Sequence, residues 1–237
     1  MMWRVALLSI AAPLLAQQQN VDLVLVLDAT PGMQRSLSVA FFRPDPADRV
    51  AVLAVTSKSR LAQSFTNDRQ KLTAAIEGLG RRSAVPVSLG MAPSPSEPKI
   101  RLFRALLDAA RLFQSLPVVP GRHRVILAVF GTDDKSFSPT ADEVKLALSA
   151  AQITAFGIPV PRHDYQPALD PRLATPPTLP GTVNRTPGDL APLPEATMTR
   201  LAACATVIRA DAASGNASIL AILNQVRSSP TQNPPQP

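Results

Sequence analysis

Runs of apolar residues long enough for buried β-strands alternate along this chain with segments whose apolar residues recur at helical spacing. The first run, residues 21–27, is almost continuous in Val and Leu, which is typical of a strand buried on both faces. Further strands are predicted at 48–56, at 61–65 as an antiparallel edge strand, and at 124–130, 153–158 and 206–208.

Helices are predicted between most of these strands. Met33, Leu37 and Phe41 form an apolar stripe after the first strand. Other helices are predicted over 72–79 behind a cap at Asn67 or Asp68, over 99–115, after a capping box at 140–143, and over 196–205 and 217–227. The alternation predicts a three-layer, doubly wound α/β domain with a mainly parallel sheet and helices on both faces.

The first sixteen residues have the layout of a secretory signal peptide. Arg4 precedes an apolar run of about eleven residues. Leu14 and Ala16 then stand three residues and one residue before a polar stretch. The run is short for a membrane span, so we expect cleavage after residue 16, a secreted or periplasmic protein, and no stable span after cleavage.

Two other segments depart from the alternation of strands and helices. Residues 159–194 are dense in proline, and such a long irregular segment within a domain is typical of a functional loop or a disordered one. Residues 229–237 are polar and proline-rich, and we expect a disordered tail. One domain is therefore predicted over residues 20–228.

Composition narrows the chemistry that the chain can perform. The net charge is +7, but the basic residues are scattered and no aromatic residues are interleaved with them, so nucleic-acid binding is not expected. One cysteine and two histidines exclude a disulfide framework and leave little room for a zinc or histidine site. No catalytic motif is recognisable, and Cys204 reads as a core thiol on a helix of small residues, so we expect no enzymatic activity.

The first strand and its turn, VDLVLVLDATPGM, resemble the start of a von Willebrand factor type A domain, in which a hydrophobic strand precedes Asp-x-Ser-x-Ser-Met. Residues 44–67 resemble the second and third strands of that family, 125–134 the strand that ends in Thr-Asp-Gly, and 142–158 the helix and strand that follow. The resemblance covers roughly residues 20–228. It implies the fold predicted above and a role in binding proteins.

The resemblance also implies a metal-ion-dependent adhesion site, in which hydroxyls and carboxylates hold Mg²⁺ and an acidic residue of the partner completes the shell. Asp28 matches the first aspartate, and Thr30 replaces the first serine with retention of a hydroxyl. Gly32 and Ile100 fall where the family has a serine and a threonine, and neither supplies an oxygen.

The second aspartate of that site depends on the register of the fourth strand. In the simplest register it becomes Gly131, whereas a two-residue slip matches Thr132-Asp133 to the family's Thr-Asp. The site is thus degenerate, and a metal set of Asp28, Thr30 and Asp133 stays open beside simpler interpretations. Asp28 and Thr30 would then cap the following helix, Asp133 and Asp134 would be solvated turn residues, and Arg101 or Arg104 would neutralise Asp28.

Three functional hypotheses follow. The first is an extracytoplasmic protein-binding module without obligatory metal, which contacts an unidentified protein partner through Asp28, Thr30, Thr132 and Asp133. The second is a Mg²⁺-dependent adhesion domain that uses the partial metal site. The third is a structural component of a cell-envelope assembly, tethered by its loop and tail.

Overall fold

The computed structural model describes residues 20–30, 45–82, 100–161, 193–209 and 215–228. Within these ranges the chain forms six strands and five helices. Their order is β1 (Asn20–Asp28), β2 (Arg49–Val55), β3 (Ser59–Thr66), α1 (Arg69–Arg82), α2 (Leu102–Gln114), β4 (Arg122–Phe130), α3 (Ala141–Ala150), β5 (Ile153–Pro159), α4 (Glu195–Leu201), β6 (Thr206–Val207) and α5 (Gly215–Ser228).

The strands form one sheet in the order β3-β2-β1-β4-β5-β6. All neighbours are parallel except β2 and β3, so the predicted antiparallel edge strand is confirmed. At the centre of the sheet, Leu25 of β1 pairs with Val52 of β2 on one side and with Leu127 of β4 on the other. The strand order reverses between β1 and β4, and ligands of open α/β sheets bind at the carboxyl ends of the strands at such a switch point.

Two apolar cores lie on opposite faces of the sheet because successive side chains of a strand point to opposite sides. Val24 and Val26 of β1 pack with α2 and α3 on one face. Leu23 and Leu25 of β1 pack with α1 and α5 on the other face. The three-layer α/β architecture predicted from the sequence is therefore confirmed.

The fourth helix is shorter than predicted. Residues 196–205 were expected to be helical, but α4 ends at Leu201 and Cys204 lies in the turn that follows. The Cys204 N–H bonds the Leu201 carbonyl three residues back, which tightens and ends the helix. Cys204 still packs against the core, and burial raises the pKa of its thiol to about 11. A thiol with such a pKa is almost entirely protonated at neutral pH and is a poor nucleophile.

Ion pairs lie at the other end of the sheet, where its parallel strands begin. The buried Asp22 carboxylate of β1 accepts two hydrogen bonds from Arg49, at 2.7 and 2.6 Å, and one from Arg122 at 2.9 Å. Nearby in sequence, Asp48 accepts the Val21 N–H at 2.9 Å and pairs with Arg227 of α5. These contacts attach α5 to the start of β2.

Several predictions concern residues outside the described ranges. They are the signal peptide over 1–16, the helix with Met33 to Phe41, most of the proline-rich segment 159–194, and the tail 229–237. Across the described part of the chain, no helix combines the length and the apolar character needed to cross a membrane.

Candidate functional site at the carboxyl ends of β1 and β4

Asp28 ties together the ends of the two central strands. Its Oδ1 accepts the Thr30 N–H at 2.9 Å, which closes the turn after β1. Its Oδ2 accepts the Gly131 N–H at 3.1 Å, just beyond the last residue of β4. The side chain is buried, and each carboxylate oxygen thus has a backbone donor from a different strand end. Carboxylates that accept such bonds hold their donors firmly because the acceptor is charged.

A second bond joins the same two turns. The Thr30 and Thr132 hydroxyls lie 3.0 Å apart, and both residues are buried. Either hydroxyl can donate to the other, so each turn supplies one partner of a side-chain hydrogen bond. We call the set formed by Asp28, Thr30, Gly131 and Thr132 the β1–β4 clasp.

Asp134 has a different environment from the solvated turn that the sequence suggested. Its buried carboxylate accepts the Phe103 N–H at 3.0 Å, and the Ser136 N–H and hydroxyl at 2.8 and 2.5 Å. Phe103 lies in the first turn of α2, where the N-cap residue Arg101 makes no side-chain cap bond. Asp134 therefore caps α2 from another loop, which satisfies an N–H that the helix itself leaves unbonded.

Asp133 is directed to α4 and is half-buried rather than solvated. Its Oδ1 accepts the Thr197 hydroxyl at 2.9 Å and the Thr197 N–H at 3.3 Å. The same Thr197 hydroxyl accepts the Asp134 N–H at 2.7 Å. The loop after β4 is thus fastened both to α2 and to α4, and the bonded carboxylate oxygen of Asp133 belongs to this network and not to the β1–β4 clasp.

Comparison with solved structures identifies the fold. An aerotolerance-related membrane protein from Bacteroides fragilis matches at 15% identity and a TM-score of 0.56, over 86% of this chain and 99% of its own. The conserved hypothetical protein BatB from Bacteroides thetaiotaomicron matches at 15% identity and a TM-score of 0.51, over 88% of this chain and 98% of its own. This chain has the von Willebrand factor type A fold.

A third match is a larger protein, about half of which has a similar fold. Proximal thread matrix protein 1 from the mussel byssus matches at 12% identity and a TM-score of 0.53, over 89% of this chain and 49% of its own. No protein-family model matches the sequence, and no curated protein matches it. The type A assignment accordingly concerns the fold.

The metal site that is typical of type A domains does not fit the side chains at this position. Gly131, which follows β4 and has no side-chain oxygen, is the residue whose N–H bonds Asp28 across the two strand ends. Ile100 is buried in the apolar core. The clasp offers one carboxylate and two hydroxyls, but both carboxylate oxygens accept backbone N–H groups and the two hydroxyls bond each other. Among the described residues, no group of three His, Cys, Asp or Glu side chains is placed to hold a metal ion.

Arg101 and Arg104, the two residues that the sequence suggested could neutralise Asp28, contact other groups. Arg104 lies 3.5 Å from Asp108 one helical turn further along α2. Arg101 contributes its backbone, and its N–H bonds the Thr56 carbonyl at 3.0 Å. The donors that reach the carboxylate of Asp28 in the described structure are backbone N–H groups.

Three of the four residues predicted to contact a partner are buried. Asp28 and Thr30 are each 3% exposed and Thr132 is 5% exposed, because the clasp turns their polar atoms toward one another. These three side chains therefore offer little surface to a partner. Exposed residues of the loop after β4 begin at Lys135, and Phe137 in this loop is 94% exposed.

Sequence reasoning missed the residues that shape this surface. Thr197 is completely buried and bonds the loop, and Arg200 donates from Nη1 to the Asp134 carbonyl at 2.8 Å. The Arg200 guanidinium also lies 4.3 Å from the centre of the Phe103 ring. Both residues follow the proline-rich segment by only a few positions, and neither forms a motif with residues near it in sequence. The one feature in the sequence that could have drawn attention to this loop is Phe137, an aromatic residue among polar ones.

Proposed function

We propose that this chain is an extracytoplasmic protein-binding module of type A fold that binds its partner without an obligatory metal ion. The observation that carries the proposal is the β1–β4 clasp. Asp28 uses both carboxylate oxygens on backbone N–H groups of the two strand ends. The turns that present loops to a partner are therefore held by the protein's own hydrogen bonds, and a cation is not needed to hold them.

The proposed compartment rests on the first sixteen residues. Arg4, the apolar run after it and the small residue Ala16 have the order of a cleavable secretory signal. A single cysteine with a protonated, half-buried thiol is suited to an oxidising compartment because it has no second cysteine to pair with.

A binding role is favoured over catalysis by how the polar groups are used. The carboxylates of Asp28 and Asp134 each accept backbone N–H groups through both oxygens. A general acid or base needs a carboxyl group that is free to exchange a proton with a substrate. The thiol of Cys204 is protonated by burial. These groups stabilise loops and a helix end, which suits a surface that binds.

The test is capture of the partner with and without divalent cations. The chain from Gln17 onward carries an affinity tag and is incubated with the cell-envelope fraction of its source, in EDTA or in Mg²⁺. Proteins that excess untagged chain displaces are identified, purified and titrated back. We expect saturable binding of one protein with the same affinity in both buffers.

The other outcomes separate the alternatives. Binding that disappears in EDTA and returns with Mg²⁺ would instead support the adhesion mechanism. A partner that never exchanges with untagged chain and is recovered in fixed stoichiometry would point to a structural component of an envelope assembly. If the tagged chain retains no protein beyond what the affinity resin retains alone, the binding proposal is wrong.

A further inference from the structure

The loop between α2 and β4 is apolar and exposed. Residues 116–121, Leu-Pro-Val-Val-Pro-Gly, include no polar side chain. Val118 is 74% exposed and Val119 is 42% exposed, whereas Leu116 packs against the core and attaches the loop to the domain. We call residues 116–121 the valine loop. Scattered apolar residues are common on protein surfaces, but a continuous exposed run is typical of a surface that another molecule covers.

Hydrogen bonds hold the valine loop at both ends. The Leu116 N–H bonds the Phe113 carbonyl at 3.1 Å, and the Leu116 carbonyl accepts a bond from Arg124 at 3.4 Å. The Val119 carbonyl accepts the Arg122 N–H at 3.3 Å across the Pro-Gly turn. A loop that is already ordered loses little conformational entropy when it binds.

The valine loop offers few backbone donors to a protein partner. Pro117 and Pro120 have no N–H, and the Leu116 N–H is bonded within the domain. An extended peptide that binds along a loop or strand needs regular backbone hydrogen bonds, whereas a lipid bilayer takes up apolar side chains without them. The loop therefore suits the apolar part of a bilayer better than it suits a peptide.

The valine loop lies at the end of the sheet that residues 1–19 lead into. Asn20, the first residue of β1, pairs with Arg122, which directly follows the loop. Residues 5–15 form the apolar run of the predicted signal peptide, the part of the chain that would enter a membrane during export. The segment that targets the chain to a membrane is thus connected to the same end of the domain as the exposed valines.

The charged side chains around this end of the sheet are of both signs. They include Asp22, Asp45, Asp48, Arg49, Arg122, Arg124 and Arg227. Asp22 pairs with Arg49 and Arg122, and Asp48 pairs with Arg227. Contact through the valine loop is therefore apolar in character, and it should persist at high salt, where attraction between exposed charges is screened.

We propose that the valine loop is a membrane-contact site, at which Val118 and Val119 enter the apolar part of a lipid bilayer. The amino ends of the parallel strands then face the bilayer, and the β1–β4 clasp faces away from it, toward a partner. The proposal rests on the extracytoplasmic location proposed above and adds an orientation to the protein-binding function.

The experiment uses tryptophan fluorescence. The chain from Gln17 onward contains no tryptophan because Trp3 belongs to the predicted signal peptide, so one introduced tryptophan reports only its own surroundings. Val118→Trp is titrated at high salt with vesicles of phosphatidylcholine and phosphatidylglycerol in equal amounts, with and without bromine in the acyl chains. We expect its emission to shift to shorter wavelength and to be quenched by the brominated lipid.

Matched variants carry tryptophan at other exposed apolar positions. Phe137, beyond the carboxyl end of β4, is 94% exposed, and Leu146 of α3 is 72% exposed. Phe137→Trp and Leu146→Trp should show neither the shift nor the quenching. They control for the affinity that any exposed tryptophan has for a membrane interface.

Vesicle sedimentation measures the contribution of the valines themselves. Val118→Ser/Val119→Ser should lower partition of the chain onto the same vesicles about tenfold, because two exposed apolar side chains no longer leave water. Leu146→Ser removes a comparably exposed apolar side chain elsewhere and should leave partition unchanged. All three substituted positions are exposed, so these variants should fold.

The membrane proposal is overturned if Val118→Trp does not respond to vesicles, if the three tryptophans respond alike, or if the double serine variant partitions as the parent chain does. A dimer in solution that the double serine variant dissociates would assign the loop to a second copy of the chain and also overturn it. Failure here is distinguishable from failure of the proposed function. A partner captured from the envelope fraction by a chain whose valine loop ignores vesicles would leave protein binding in place and exclude this site.

Discussion

The carboxylate of Asp134 connects three parts of the molecule at the scale of a single residue. It caps α2 through the Phe103 N–H and orders the loop through both polar groups of Ser136. The backbone of the same residue bonds Thr197 and Arg200 of α4. Three hydrogen bonds to its carboxylate and two to its backbone therefore depend on where Asp134 lies.

Replacement of this carboxylate should be costly. In Asp134→Ala the Phe103 N–H stays buried without its acceptor, and α2 loses its cap, so the free energy of unfolding should fall by about 2 to 3 kcal/mol. Urea unfolding measures the change. The matched control is Asp142→Ala in the exposed first turn of α3, which should cost less than about 0.5 kcal/mol. Equal losses in the two variants would contradict the capping role.

Asp22, near the amino end of β1, makes the free energy of unfolding depend on pH. Burial alone raises its pKa, but the hydrogen bonds from Arg49 and Arg122 outweigh burial, and the pKa lies below its usual value. A carboxyl with a lowered folded pKa stabilises the protein fully above the unfolded value of about 3.9. That contribution is lost as the pH falls through the folded pKa.

We therefore expect the free energy of unfolding to fall as the solution is acidified below about pH 5. Asp22→Asn keeps the shape but leaves two arginines without their carboxylate, and should lose about 3 kcal/mol at neutral pH. The gap between this variant and the parent chain should narrow with acidification. Denaturant unfolding at a series of pH values measures both curves, and a gap that stays constant down to the lowest pH would exclude Asp22 as the titrating group.

At the scale of elements, the contact of β5 with α4 depends on a glycine. A Cβ at Gly157 would overlap the Cδ2 methyl of Leu201, which is completely buried. Gly157→Ala should therefore destabilise the protein by about 1 to 3 kcal/mol through overpacking. Gly78 of α1 has open space around the same position, so Gly78→Ala should be neutral or stabilising by up to about 1 kcal/mol.

Thermal unfolding of the two variants compares them directly. Gly157→Ala should melt below the parent chain and Gly78→Ala at or above it. The order matters because α4 carries Thr197 and Arg200, and a displaced α4 would also disturb the loop that they hold. If Gly157→Ala melts with the parent chain, then α4 can shift without cost to make room for the added methyl group.

The elements were predictable from the sequence where a local pattern decides them. The first strand was readable because a strand buried on both faces is apolar at nearly every position. Helix α3 was readable because Thr140 and Glu143 form a local capping box. The short α4 was overestimated because its small residues continue a helical pattern past Leu201, whereas its end is set by bonds within a turn.

At the scale of the whole molecule, the site was only partly predictable. The Asp28 turn was found because Asp28 ends the apolar strand and the hydroxyl of Thr30 follows two residues later in sequence. The roles of Asp133 and Asp134 were not found because their partner Thr197 stands more than sixty residues away and meets them only in the folded chain. Burial of the clasp was hidden for the same reason, since it depends on Gly131 and Thr132 lying opposite Asp28 and Thr30.

The central proposal is that hydrogen bonds, and not a metal ion, hold the ends of β1 and β4. The most direct measurement is calorimetric titration of Mg²⁺ and Mn²⁺ into the folded chain from Gln17 onward, beside Asp28→Ala. We predict no saturable heat at millimolar cation and the same unfolding temperature in EDTA as in Mg²⁺. Saturable binding that Asp28→Ala abolishes while remaining folded would contradict this claim and restore a metal-dependent adhesion site.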